Sequence, residues 1–444
     1  VQTTSLPEAL LLIGLALVLA YFGAEFMKKY GIPQILGFML AGLFLGAIGI
    51  FNTETRTALY PLVDLALGLI GYNIGLEIRK EVFRGQTRRL SVILVAESIL
   101  TFIIVTLLTG YIIQNWYIAI VFGALASATD PASTVMVIWE RKCKGNLTDT
   151  LMFILAMDDV LAILLANVSI SIAILFLSAP GTVTLVTAAL STIYEIAASC
   201  VIGGILGAIM VVFVNREENR REMLEFELGM IILLIGLMSW LHLSSILACM
   251  VFGFVVGNYV SSEKDPVSHT LKVVMSPIVM IFFVIVGASI DLAVVSGLAV
   301  VLLASVYVAG RTFAKYFGAF SGARITKAEP LTSKYLGLCL MSQAGVAVGL
   351  SLVVERSFMQ VGTQVATDFG ILIINVIAVT TMVLQLFGPI AASEGLRRAG
   401  EYPKDICETS VDGLYNLEQL SSDLASETSS DVDHPSHSED KDET

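Results

Sequence analysis

The feature that constrains this chain most is a succession of apolar blocks, each long enough to cross a bilayer and nearly free of charge. A helix rises about 1.5 Å per residue, so about 20 residues cross the hydrocarbon core. In lipid every backbone N–H and C=O must be paired internally, which leaves helices or closed barrels. The blocks run continuously and do not alternate with period two, so the spans are helices. Charged residues make up 14% of the chain and hydrophobic ones 56%, whereas a soluble chain carries about 25% charged residues. The expected class is an all-α polytopic membrane protein.

Spans are expected near 7–27, 33–48, 57–77, 90–113, 115–139, 150–178, 186–214, 223–239, 242–260, 270–290, 295–320, 334–354 and 365–390. Thirteen is odd, so the termini lie on opposite sides. With the N-terminus outside, 22 of the 26 Lys/Arg fall in cytoplasmic segments, as the positive-inside rule requires. Only Arg56 and Arg356 lie outside, and Arg311 and Lys315 fall within a span. The net charge of −12 belongs mostly to 405–444, which hold twelve Asp/Glu against one Lys. This Ser- and Asp-rich stretch has too little apolar surface to offset the entropy of ordering it. It reads as a disordered acidic cytoplasmic tail.

The two halves repeat. A shift of 211 residues superimposes Ile35 on Ile246, Met39 on Met250, Gly42 on Gly253 and Gly46 on Gly257; a shift of 214 places Gly123 on Gly337. Seven spans separate the partners, so the halves have opposite orientations. Inverted repeats of this kind put a binding site at the midplane, where broken helices meet.

Charges inside a span cost about 2.5–3.5 kcal/mol each, so each needs a partner or a function. In SATDPAST the fifth span carries Thr129, Asp130 and Pro131. Proline lacks an N–H and clashes with the preceding turn, which predicts an unwound stretch. The repeat places Gln343, Ala344 and Gly345 opposite, a second break with Gln343 as a neutral ligand. In LAMDDVLAILL of the sixth span, Asp158 and Asp159 point about 100° apart and can serve different partners. Two carboxylates this close in low dielectric do not both ionise cheaply, so one favours holding a proton or a cation. In AGRTFAKYFGAF, Arg311 and Lys315 share a helix face. Lysine can lose its proton when desolvated and arginine effectively cannot, so Lys315 takes the switchable role and Arg311 a structural one. Glu97 maps onto Arg311 at the shift of 214 and is its expected partner. Glu77 and Asp291 end the third and tenth spans as interfacial or structural residues, and Asp64 and Glu195 receive no role.

Together, SATDPAST, AMDDVLAIL, GLEI/GASIDL and a Lys followed by YFGA resemble the monovalent cation/proton antiporter superfamily. The resemblance covers everything except the tail. The double aspartate and the lysine are similar to the electrogenic branch typified by NhaA and NapA. TDP is more usual in the electroneutral NhaP-like branch, whose sixth-span motif is Asn-Asp, so the chain mixes hallmarks. The resemblance implies an NhaA-like fold in which two broken helices cross. It implies a dimerisation domain (1–80 and 222–291), a mobile core (88–178 and 295–392), a linker helix (186–214), a homodimer and an elevator-like motion. By motif position Asp159 is the main carrier of cation and proton, and Asp158 pairs with Lys315 in the proton-loaded state. Thr129 and Asp130 complete the polar site, with sodium held by Asp159, Asp158 and Thr129.

The rival readings are a potassium/proton antiporter of the same fold and a sodium-coupled organic-solute symporter. HExxH, GxSxG and nucleotide-binding loops are absent from the sequence, and five cysteines are scattered without CxxC spacing. An enzyme, a cofactor, a metal or disulfide framework and a nucleic acid partner are therefore not expected. The expected partners are the bilayer, protons and a monovalent cation.

Overall fold

The computed structural model describes residues 6–30, 32–51, 59–78, 87–178, 185–216, 220–241, 243–260 and 266–402. The expected tail, 405–444, lies outside them. Every element among the described residues is helical. The first half holds α1 (Leu6–Lys29), α2 (Gln34–Ala47), α3 (Tyr60–Glu77), α4 (Thr87–Ile113), α5 (Trp116–Ser127), α6 (Pro131–Glu140) and α7 (Asn146–Leu177). Next come α8 (Leu185–Arg216), α9 (Arg220–Leu241), α10 (Ser245–Tyr259), α11 (Pro266–Ala288) and a single turn, Leu292–Val295. The chain closes with α12 (Leu298–Ile325), α13 (Pro330–Tyr335) running into a tighter 3-10 stretch (Leu336–Leu340), α14 (Gly345–Gln360) and α15 (Gln364–Arg398).

Seven of these helices contain stretches long and apolar enough to cross a membrane: α1, α4, α7, α8, α9, α12 and α15. The segment Pro330–Leu340 and α14 are long and apolar enough only when taken together, bent by 46° at their break. The shorter apolar helices α2, α3, α5, α10 and α11 fall on the remaining expected segments. Burial is inverted relative to a soluble protein. Leu11, Phe22, Trp240 and Leu298 stand exposed, while Glu97, Asp158, Asp159, Arg311 and Lys315 are fully buried. Outward apolar side chains cost nothing in lipid, whereas charges must turn inward to find partners.

The inverted repeat is visible in which helices touch. Gly42 and Gly46 of α2 lie so close to α11 that a Cβ on either would meet the backbone of Val284 or Ala288. Their repeat mates Gly253 and Gly257 on α10 approach α3 in the same way, at Tyr72 and Leu76. Gly123 packs on Phe102 of α4, and its mate Gly337 on Tyr316 of α12. Each half thus lends helices to the other half's packing. One packing group joins α2 with α1 and α11, and α10 with α3 and α8; the other joins α4 with α5 and α12, and α14 with α15.

Candidate ion site at a helix crossing

The fifth span is interrupted as its sequence requires. α5 ends at Ser127 and Ala128 is extended (φ −61°, ψ 138°). α6 then begins at Pro131, whose missing N–H costs nothing in a first helical position. Asp130 stands just ahead, and its carboxylate accepts the backbone N–H of Ser133 at 3.3 Å, an N-cap. The twelfth span is interrupted between Leu340 and Gly345. The two breaks cross in contact: Asp130 N–H donates to Ser342 O (3.1 Å), and Ser342 Oγ donates to Asp130 O (3.3 Å).

Unwinding frees carbonyls that lipid cannot solvate, and four side chains serve them. Arg311 donates to Ala126 O (3.0 Å), Ala128 O (2.8 Å), Met341 O (2.6 Å) and Ser342 O (3.0 Å), stitching both breaks together. Lys315 donates to Ser127 O. Gln343 donates to Leu125 O and to Tyr307 Oη, both at 2.9 Å. Gln385, on α15, donates to Gln343 O (3.0 Å) and to Asp130 Oδ2 (2.8 Å).

The arrangement corrects one expectation. Glu97 pairs with Lys315, Oε2 to Nζ at 2.8 Å, and the four donor contacts of Arg311 go to main-chain carbonyls. A planar guanidinium suits several fixed acceptors at once, whereas a compact ammonium suits a cluster of carboxylates. Gln343 uses its amide nitrogen on Leu125 O and Tyr307 Oη, and its buried side-chain oxygen has no hydrogen-bond partner among the described residues. Glu77 ends α3, and its side chain lies outside the described residues. Asp291 is structural: it caps the turn Leu292–Val295 through Ala293 N–H at 2.8 Å.

Asp158 and Asp159 face different surroundings. Asp158 Oδ2 lies 2.8 Å from Lys315 Nζ and accepts the Thr129 hydroxyl. Lys315 also reaches Thr129 Oγ1 at 2.9 Å. Ser98 Oγ stands 2.8 Å from Asp158 Oδ1 and 3.0 Å from Glu97 Oε1. The structure therefore gathers Glu97, Ser98, Thr129, Asp158 and Lys315 into one buried cluster. Asp159, equally buried, lines a cavity of about 370 Å³ together with Thr129, Asp130, Asn73 and Gly345. That cavity extends to Gln34, at the start of α2.

Sequence reasoning missed Gln385, Ser98 and the Glu97–Lys315 pairing. A lone glutamine in the apolar run VLQLFG was a readable signal, as was a serine beside Glu97. Which cation Glu97 meets depends on how α4 and α12 rotate against each other, and neither helix carries that alone.

Comparison with known proteins bears on this geometry. The chain resembles the probable Na(+)/H(+) antiporter 2 of Methanocaldococcus jannaschii, at 23% identity over 296 residues. That match covers 61% of this chain and 66% of the relative, just under two thirds of the relative's length. The fold is similar to that of the sodium proton antiporter MjNhaP1 of the same organism at pH 8, with TM-score 0.73 and 19% identity. The match covers 88% of this chain and 99% of the other. An electron-microscopy structure of MjNhaP1 matches with TM-score 0.69 and 19% identity, over 90% and 99% of the two chains. The family model for the transmembrane part of sodium/hydrogen exchangers matches residues 13–391. With most of its length covered by that model, the chain belongs to the transmembrane sodium/hydrogen exchanger family.

Proposed function

We propose that this protein exchanges a monovalent cation, sodium foremost, for protons by alternating access, with Asp159 as the carrier. The observation that carries this reading is a fully buried carboxylate lining a cavity that reaches Gln34, one residue from a second carboxylate held by a buried lysine. A cation entering the cavity meets Asp159, Thr129 and Asp130, oxygen ligands suited to a hard monovalent ion. The sodium assignment is supported by the names of the relatives, which are sodium/proton antiporters.

The cluster beside it holds a lysine between two carboxyls. Ser98 has one hydroxyl hydrogen but stands within hydrogen-bond distance of two carboxyls. The second contact is a hydrogen bond only when Glu97 or Asp158 holds a proton. Lys315 with two carboxyls and one shared proton is neutral, which suits a group without solvent. In this reading thirteen spans cross the membrane, with the N-terminus outside and the C-terminus cytoplasmic. The cavity at Gln34 then faces the cytoplasm. The groups α1–α3 with α9–α11 form a dimerising scaffold, and α4–α7 with α12–α15 form the moving core, joined by α8.

The test is dissipation of an imposed pH gradient in proteoliposomes when sodium, lithium or potassium is added in turn. Sodium-dependent proton flux is expected. Flux with potassium alone would move the substrate to potassium, and cation uptake that requires an organic solute would replace antiport by symport.

A further inference from the structure

Two cavities are stacked along α3, α7 and α14. The first is lined by Asp159 of α7, Ile70 of α3 and Val346 of α14. The second, of about 180 Å³, is lined by Asp64 and Leu67 of α3, Asn167 of α7, Leu350 and Arg356 of α14, and Glu195 of α8. Helix geometry puts them in line. Asn167 is eight residues beyond Asp159, about 12 Å along α7, while Leu67 and Leu350 lie about one turn beyond Ile70 and Val346. The second cavity is therefore on the side opposite the Gln34 opening.

The layer between them is apolar and tight. Leu67 is 3% exposed and Phe282 fully buried. A Cβ added at Gly349 of α14 would collide with Leu67 Cδ2 and stand 3.7 Å from Phe282 Cζ. At the rim Arg356 Nη1 lies 3.0 and 2.9 Å from the two carboxylate oxygens of Asp64, and its guanidinium lies 5.8 Å from the Tyr60 ring centre. This pair joins α3 to α14, which belong to different packing groups. The cavity wall itself is polar. Asn167 is 7% exposed and its amide nitrogen lacks a hydrogen-bond partner. A permanent packing surface at that depth would bury apolar groups, since unpaired polar ones are costly there.

We propose that Leu67 seated on Gly349, latched by Asp64–Arg356, is the closed outer gate of the ion path, and that the second cavity is the collapsed outer vestibule. The inference rests on the antiport reading for its need of access from both sides. The latch exists only while α3 and α14 stand in this register, so it biases the molecule towards the state open at Gln34. Both partners are part-exposed, with side chains 41% and 23% accessible, so the bias is modest.

The test is the rate at which Asn167→Cys reacts with a membrane-impermeant maleimide from the outer side, in a chain whose native cysteines are replaced by alanine. Asp64→Asn and Arg356→Gln should each raise the rate about two- to five-fold, the range of a part-exposed ion pair. The exchange Asp64→Arg with Arg356→Asp should bring it back. Unchanged rates in the single variants, or a double variant as reactive as the singles, would overturn the latch. If the cysteine-free chain fails to fold, the native chain gives a second reading. Asp64→Asn should lower the KM for outer cation by more than it raises that for inner cation, and a shift of the same sign and size on both sides would overturn the proposal. Loss of exchange in the wild type would defeat the antiport reading, whereas the labelling result reports on the gate alone.

Discussion

Arg311 and Lys315 lie one turn apart on α12 and hold different things. Arg311 satisfies four main-chain carbonyls, whereas Lys315 sits between Glu97 and Asp158. Arg311→Ala would strand those carbonyls at about 1–3 kcal/mol each. We expect a loss of at least about 3 kcal/mol of stability, read as a lower Tm in detergent, and little rescue by Arg311→Lys, which has one nitrogen for four acceptors. In double-mutant cycles the Glu97/Lys315 pair should show the larger coupling, about 1–3 kcal/mol. A larger coupling for Glu97/Arg311 would refute the pairing described above. The charged residues were legible because each breaks an apolar run that only function or pairing explains. Gln385 left a weaker signal in its apolar run, since a neutral amide in a span is cheap enough to pass as filler. Ser98 and Thr129 acquire meaning only from Asp158, which lies 60 and 29 residues away from them.

At the scale of the element, the break in the fifth span is built from Asp130, Pro131 and an opposing helix. Asp130 caps α6 through Ser133 and is held from α15 by Gln385. Asp130→Ala removes both contacts and should cost about 1–2 kcal/mol, near the upper range for a lost N-cap. Asp130→Asn keeps an acceptor and should cost less than half of that in the same thermal melt. Equal losses would mean that charge, not capping, fixes this residue. The first break was readable from Pro131, and the second from the repeat that sets Gln343–Gly345 against it. The contact itself, Asp130 on Ser342, was not readable. Register at a crossing depends on how two helices approach, and hydropathy carries no phase information between them.

For the whole molecule, the apolar blocks and the glycine repeat foretold membrane-crossing helices and an inverted architecture, and the reciprocal packing of Gly42 and Gly253 expresses it. Neighbour relations such as α2 on α11 lay beyond reading, because many apolar faces are interchangeable until close-packing selects among them. Proton counting belongs to this scale too. If only Asp159 exchanged a proton for one cation, no net charge would move. If cation binding also draws Asp158 from Lys315, the lysine loses a second proton and the cycle moves one charge, worth about 2.3 kcal/mol per 100 mV. A sodium-jump current on a solid-supported membrane should therefore accompany exchange and vanish in Lys315→Gln. Exchange without current would reject the stoichiometry, and an unaltered current in that variant would reject the role of the lysine. All of this presupposes that Asp159 carries the ion. The most direct measurement is sodium-driven proton flux in proteoliposomes holding Asp159→Asn, with correct folding checked by an unchanged elution profile and a Tm no lower than wild type. The account predicts that flux falls to the level of empty liposomes, while flux at the wild-type rate would contradict it.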